Sequence, residues 1–472
     1  MMTSTVFERN PPAASTIDHA LQATRRSVFW LDDLPGGGRS RHPSLHGHVD
    51  TDLVVVGGGY TGLWTAVLAK QREPDRRVVL LEAKSIGWAA SGRNGGFCEA
   101  SLTHGDENGR SRWPEEFDQV KALGLANLDG IESMVSAHGL DVDFERNGSL
   151  DVAVEPHQVE WLEPGDGVTV LDSAAMHDQV RSPTYLGGAW HRRTSALVHP
   201  GKLALELARL AVELGVEVFE HTLVKSLDSA ADGATVVTAH GRVTAPRVIL
   251  ATGVFPSLLA RNRLMTVPVY DYVLMTEPLD AEQLASIGWS NRQGIGDMAN
   301  QFHYYRLSAD NRILFGGYDA VYHYGGRVRP AYEERPSSYR QLASHFFTTF
   351  PQLEGLRFSH RWSGPIDTST RFCAFFGTAR AGSVAYASGF TGLGVGATRF
   401  AGDTLLDLLD GVPTERTELR MVRERPLPFP PEPAAALGIN ATRWSLDRAD
   451  HDGGRRNVLL KTLDALGLGF DS

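Results

Sequence analysis

The chain has 472 residues, 42% hydrophobic and 22% charged, the balance of a globular protein of two or three domains rather than of a disordered chain. Its 46 Lys and Arg against 56 Asp and Glu leave a net charge of −10, which argues against nucleic-acid or anionic-membrane partners, since both ask for a basic face. Two distant cysteines, Cys98 and Cys373, give no disulfide framework, no Cys-rich zinc site and no CxxC for dithiol redox chemistry.

The opening residues show no basic stretch followed by an apolar run, and no stretch of about 18 apolar residues follows. Cytoplasm is the expected location. Residues 1–48, with their Pro, Gly and His and the apolar Phe29-Trp30-Leu31, read as an arm packed on the main body. His42, His46 and His48 lie close together there, but Pro43 and Gly47 interrupt them and no fourth ligand is near. They read as a solvated loop rather than a zinc site.

Residues 52–56 predict a buried strand, and a helix is predicted from Leu63 to about Gln71. A second strand is predicted at 78–82, completing a βαβ unit. Between the first strand and the helix stands Gly57-Gly58-Gly59-Tyr60-Thr61-Gly62, and Glu82 lies twenty positions past Gly62. Gly57 permits the tight turn, Gly59 lets backbone N–H groups approach a pyrophosphate, and Gly62 lets helix and strand pack closely. The helix N-terminus offers unpaired N–H groups to phosphate, and Glu82 can accept both hydroxyls of an adenosine ribose. A 2′-phosphate would be repelled by Glu82, which disfavours NADP and leaves FAD and NAD.

Next comes Ala90-Ser91-Gly92-Arg93-Asn94-Gly95-Gly96, a donor-rich loop suited to wrapping a ribityl–pyrophosphate and a flavin ring. No second GxGxxG occurs, so no separate nicotinamide site is visible. Further helices are predicted at 117–137, 202–214, 332–350 and about 397–409, and strands at 216–219, 223–240 (a pair) and 247–253. Short strands are expected through 140–195, and others at 269–275, 302–307 and 312–316. Residues 425–433 (RPLPFPPEP) predict an extended strap docked on the surface.

Taken together, Gly57–Gly62, Glu82, the SGRNGG run at 91–96, the strand ending Ala251-Thr252-Gly253, and Gly389-Phe390-Thr391-Gly392-Leu393-Gly394 resemble the D-amino-acid oxidase/glycine oxidase (DAO) superfamily of FAD enzymes. The SGRNGG form is most similar to the branch that includes γ-glutamylputrescine oxidoreductase. The resemblance spans roughly residues 50–412. It implies an α/β fold of mixed α+β character: a glutathione-reductase-type, Rossmann-like FAD domain interleaved with a substrate domain whose antiparallel sheet roofs the flavin. The expected division is an arm at 1–48, an FAD-binding domain at 49–139, 196–262 and 361–412, a substrate domain at 140–195 and 263–360, and a C-terminal extension at 413–472.

By that resemblance the FAD contacts are Gly57, Gly58, Gly59, Tyr60, Thr61, Gly62, Glu82, Ala83, Ser91, Gly92, Arg93, Asn94, Gly95, Gly96, Val224, Thr252, Gly253, Gly389, Thr391, Gly392, Leu393 and Gly394. Val224 would touch the adenine through its backbone. The 389–394 segment would sit at a helix N-terminus beside the pyrimidine edge of the flavin, where N–H groups stabilise the charge of the reduced ring. The sequence departs from the family in reading Thr370-Arg371 where relatives often carry Asp. It also lacks the histidine or cysteine to which some members attach FAD, because Cys373 lies too close to Gly389. Non-covalent FAD is therefore expected, with Cys373 a buried apolar residue.

On the substrate side, Tyr270, Tyr272, Tyr304 and Tyr305 suit an amine by cation–π attraction, while the alternative is core packing of a sheet. Arg306 could clamp a carboxylate or pair with Asp310 or Glu277, and Arg93 is the other cation. His303 reads as structural. The catalytic candidates are Arg93, Tyr272, Tyr305 and Arg306. The expected reaction is hydride transfer from an amine or amino acid to flavin N5; the alternatives are oxidation of a C–O or C–C bond, or a flavoprotein without turnover. No metal is expected. The electron acceptor is dioxygen or another oxidant. No lysine lies between Lys225 and Lys461, so arginines, chiefly Arg93 and Arg306, are the substitute cations, with a histidinium or the substrate itself as the alternative, and a modest oxygen reaction is expected.

Overall fold

The computed structural model describes residues 4–37, 41–230 and 233–467. Residues at the two chain ends, 38–40 of the arm, and 231–232 lie outside them. Two sheets organise the chain. One has six strands in the order Val216–Phe219, Val78–Leu81, Leu53–Val56, Arg247–Leu250, Val384–Ser388, Phe375–Ala379. The first five run parallel and the last antiparallel. The central strands are apolar runs buried on both faces, as helices cover one side and a four-stranded sheet the other.

The helix Tyr60–Arg72 is buried for nearly its whole length. It packs on Gly394–Asp410, and Gly402 explains how closely: a Cβ there would lie 3.1 Å from the Thr65 nitrogen. Trp64, Leu63 and Val67 are wholly buried in this layer, each contributing about 1.5–3 kcal/mol of apolar burial.

The second sheet has ten strands and is mostly antiparallel. Its path runs Arg25–Arg26, Phe358–Ser369, Thr266–Thr276, Ile313–Gly317, His303–Leu307, Gly294–Asp297, Ser149–Ala153, Gly187–His191, Val168–Asp172, with Val321–Tyr322 added beside Thr266–Thr276. Helix Pro336–Thr349 lies on one face and shares a core with Tyr270, Tyr272, Tyr305 and Phe315. The opposite face looks toward the parallel sheet. The mixed fold and the interleaving of two sheets match the expectation. The boundary expected at 361 falls later, because Phe358–Ser369 runs as one strand of the ten-stranded sheet. The arm is likewise part of the fold, since Arg25–Arg26 pairs with His360 and Arg361.

The strap at 425–433 is extended, with Phe429 N donating to Leu264 O and Thr370 Oγ1 to Leu427 O. It leads into a helix, Ala434–Asp450, that the sequence reading did not foresee. His46 stacks on His240, His48 bonds Asp50 and Arg242, and His42 N donates to Glu220. Cys98 and Cys373 are buried free thiols. Among the described residues no helix is long and apolar enough to cross a membrane.

Candidate active site

A cavity of about 2000 Å³ lies between the carboxyl ends of the parallel strands and the open face of the ten-stranded sheet. Chain leaving four parallel strands lines it: 57–61, 82–84, 251–258 and, after the glycine at 389, 391–395. This is where an open parallel sheet exposes strand-end backbone to a ligand.

The first turn is built by its glycines. Gly57 has φ 117°, and a Cβ on it would stand 2.3 Å from Ala251 O. A Cβ on Gly62 would stand 1.9 Å from Gly57 O, so only glycine lets the helix start this close to the strand. Gly59 precedes the helix, and Tyr60 N donates to Ser91 Oγ at 2.9 Å. The 91–96 loop thus closes over the turn.

Glu82 is buried at the mouth of this turn. Oε2 accepts from Gly58 N at 2.7 Å, and Oε1 from Lys84 N and Trp88 Nε1, both at 2.8 Å. Burial, reinforced by the nearby Glu220 carboxylate, holds its pKa above the usual range. Oε2 keeps one free lone pair, so Glu82 has room for a ribose hydroxyl but does not stand wholly free for two. Thr222 N donates to Glu82 O, which brings Val224 to the cavity wall. Glu220, at the end of Val216–Phe219, accepts from Ile86 N at 2.6 Å and His42 N at 2.8 Å. It anchors the same loop and the arm. The sequence reading missed it, although an acid directly after a buried strand was the available signal.

Of the expected FAD contacts, Gly57, Gly58, Gly59, Tyr60, Thr61, Glu82, Ala83, Ser91, Arg93, Asn94, Gly95, Val224, Thr252, Gly253, Thr391, Gly392, Leu393 and Gly394 line the cavity. Gly62, Gly92, Gly96 and Gly389 do not; they sit behind it as close-packing positions. A Cβ on Gly92 would meet Gly87 O at 2.2 Å and one on Gly96 Val198 O at 2.3 Å. Gly389 N donates to Asp367 Oδ2 at 2.6 Å. Asp367 lines the cavity, and burial lifts its pKa to about 6. The carboxylate looked for at Thr370-Arg371 is therefore supplied three residues earlier in the chain. The glycine cradle, the buried acceptor and the helix N-terminus at Gly394 fit a dinucleotide carrying a ring system. With no cysteine or histidine in the 91–96 loop, that loop supplies no attachment point.

The roof is where the sequence reading needs correction. Along Thr266–Thr276 the residues alternate between faces. Val267, Val269 and Asp271 line the cavity, whereas Tyr270 and Tyr272 point the other way, into the core under helix Pro336–Thr349. Tyr272 OH donates to Tyr332 O at 2.8 Å, and Tyr270 OH bonds the Arg329 backbone. In His303–Leu307, Tyr305 is equally turned away, its hydroxyl 2.7 Å from that of Tyr185, both buried. Tyr304 alone of the four tyrosines lines the cavity. Its hydroxyl donates to Asp271 Oδ2, its ring meets Phe97 edge-on, and burial lifts the pKa of Asp271 to about 6.

Arg306 is also a correction. It is 2% exposed and does not reach the cavity. Its guanidinium donates to Val198 O at 2.6 Å and lies over Trp30, and burial lowers its pKa to about 10. It joins the sheet, the arm and the 91–96 loop. Arg93 does line the cavity, but its charge is matched by Glu333 at 2.8 Å. His303 is structural as expected, bonded to Asp297 at 2.6 Å and His345 at 2.9 Å. Among the described residues no cluster of His, Cys, Asp and Glu is arranged for a metal.

Comparison with known proteins agrees with this geometry. The family model described as FAD dependent oxidoreductase, DAO, matches residues 52–408. A γ-glutamylputrescine oxidoreductase of Escherichia coli K12 is 32% identical over 386 residues, covering 78% of this chain and 85% of the relative. A probable oxidoreductase, OrdL, of Haemophilus influenzae is 27% identical, covering 76% of this chain and 83% of the relative. The crystal structure of glycine oxidase from Geobacillus kaustophilus superposes with a TM-score of 0.63 at 19% identity, over 78% of this chain and 96% of that one.

Proposed function

The chain belongs to the DAO family of FAD-dependent oxidoreductases and FAD is its cofactor; from that premise we propose that it oxidises the C–N bond of an amine or amino acid to an imine, which water then hydrolyses. When bound, FAD would supply the two-electron acceptor for hydride lost from the carbon next to nitrogen. The residues that would hold it are the 57–61 turn for the pyrophosphate, Glu82 for the ribose, Val224 for the adenine, and the Gly394–Asp410 N-terminus for the flavin's pyrimidine edge. We infer that it is held without a covalent bond.

The observation that carries the amine reading is the Asp271–Tyr304 pair in the roof. An ammonium group entering the cavity meets a half-buried carboxylate and two aromatic rings, Tyr304 and Phe97. Oδ1 of Asp271 accepts from Tyr272 N and Gly317 N, and Oδ2 from Tyr304 OH. Oδ2 retains a lone pair and takes the ammonium proton, leaving the nitrogen lone pair free. The names of the relatives support the same chemistry. Product analysis tests it: holoenzyme and an alkylamine yield an aldehyde and ammonia in equal amounts. Turnover confined to 2-hydroxy acids would overturn it.

A further inference from the structure

We propose that Arg443, on the helix Ala434–Asp450, is a specificity-determining residue that binds a carboxylate at the end of the substrate remote from its amine. The inference rests on the amine reading for the position of the reacting end. The helix lies beyond residues 52–408, where the family match ends. Even so it forms one wall of the cavity, through Ala435, Gly438, Ile439, Thr442 and Leu446 at helical spacing, with Arg443 beside them.

The helix is held firmly. Glu432, just before it, accepts from Tyr322 OH at 2.6 Å and Gly325 N at 2.8 Å. At its far end Asp450 accepts from Asn300 N at 2.9 Å, Asn300 Nδ2 at 2.7 Å and Gln301 N at 3.1 Å. Glu432 and Asp450 are thereby engaged elsewhere, and Asp447, one turn along the helix, faces His451 at 4.0 Å. Arg443 Nη1 donates to Asp319 Oδ1 at 3.1 Å, but the other oxygen of Asp319 already takes Arg335. Two guanidinium groups thus share the one Asp319 carboxylate. Among the described residues Arg443 makes no other hydrogen bond, so most of its donors remain for a ligand.

The turn between the two ends sets the length of the substrate. Gly317 N donates to Asp271, and Gly317 and Tyr318 take left-handed φ values of 102° and 64° that swing Asp319 toward the helix. Asp319 N donates to Gly317 O at 2.8 Å, so the chain doubles back there and holds the Asp271 end and the Arg443 end within one tight turn of each other. A short ω-amino acid matches this pair of ends, a carboxylate at one and a guanidinium at the other. Its ammonium would sit at Asp271 and its carboxylate in the fork of Arg443.

The test uses holoenzyme and pentanoate, a carboxylate with no amine, with binding read by calorimetry. Wild type binds pentanoate. Arg443→Gln binds it about tenfold more weakly or worse, as expected for losing a charged hydrogen-bond pair. Arg443→Lys recovers part of the loss, since it keeps the charge and lacks the fork. Flavin content and melting temperature establish that each variant is folded, and if the Gln variant is not, the weakened affinity of the Lys variant decides. Pentanoate that fails to bind wild type, or binds the variants equally, overturns the proposal. Bleaching of the flavin by pentylamine is read separately in wild type. Its absence in wild type would sink the amine reading while the pentanoate result still judged Arg443.

Discussion

Tyr304 reaches Asp271 across a strand that lies between them, and it does so because residue 316 in that strand is glycine. Tyr304 and Gly316 are paired in register, and a Cβ at 316 would stand 2.7 Å from the Tyr304 hydroxyl. Gly316→Ala should push the ring aside and separate the pair. The expected result is a fall of about tenfold in kcat/KM for amines, with flavin content unchanged. A variant with wild-type kcat/KM would show that the pair is not part of the substrate site.

Asp271 carries a pH signature. Its pKa is lifted to about 6 by burial, so the carboxylate loses its charge as pH falls through that value. kcat/KM for amines should therefore fall below about pH 6. Asp271→Asn should remove that acid limb, and Tyr304→Phe should move it to higher pH, because the phenol bond stabilises the carboxylate. The same shift links to stability. Between its ordinary pKa of 3.8 and about 6 the folded chain keeps a proton that the unfolded chain has released, so this group's contribution falls as pH rises through that window. Asp271→Asn should raise the melting temperature at pH 7.5 and leave it unchanged at pH 3. Thermal scans at the two pH values check this.

Glu82 makes its bonds to Gly58 N, Lys84 N and Trp88 Nε1 on the wall of the dinucleotide cleft. Glu82→Ala should weaken FAD binding by about 1–3 kcal/mol, measured by equilibrium dialysis. Acid precipitation of the wild type should leave all flavin in the supernatant. Yellow colour in the washed pellet would contradict non-covalent binding.

These contrasts show what the sequence could and could not convey. The turn at 57–62 and Glu82 were readable because the spacing that matters is local and fixed by one βαβ unit. The roof was not. Period-two alternation says that Tyr270 and Tyr272 share a face and Asp271 has the other, but which face meets the cavity depends on where helix Pro336–Thr349 docks, many residues away. Arg306 illustrates the same limit: its partners, Val198 and Trp30, come from distant segments. Asp367 was overlooked because the turn was sought at 370–371. The helix Ala434–Asp450 followed a Pro-rich strap and carries only a weak apolar face, so its place at the cavity emerges from its ion pairs.

Reduced flavin reacts with oxygen faster when a free positive charge stands nearby to stabilise developing superoxide. Arg93 is matched by Glu333, and Arg306 is turned away from the cavity. Wild-type reduced enzyme should therefore reoxidise in air more slowly than it turns over with an artificial acceptor. Glu333→Gln, which leaves Arg93 unmatched, should speed reoxidation severalfold. Stopped-flow mixing with oxygenated buffer measures both, and wild-type reoxidation as fast as turnover, with stoichiometric peroxide, would contradict the expectation.

The central claim, that the Asp271–Tyr304 roof presents an amine to FAD, is tested most directly by anaerobic mixing of the yellow holoenzyme with matched alkylamines, amino acids and 2-hydroxy acids while the flavin absorbance is followed. The account predicts that amines or amino acids bleach the flavin, that 2-hydroxy acids do not, and that Asp271→Asn slows the bleaching. Bleaching by hydroxy acids alone, or amine bleaching at the same rate in Asp271→Asn, would contradict it.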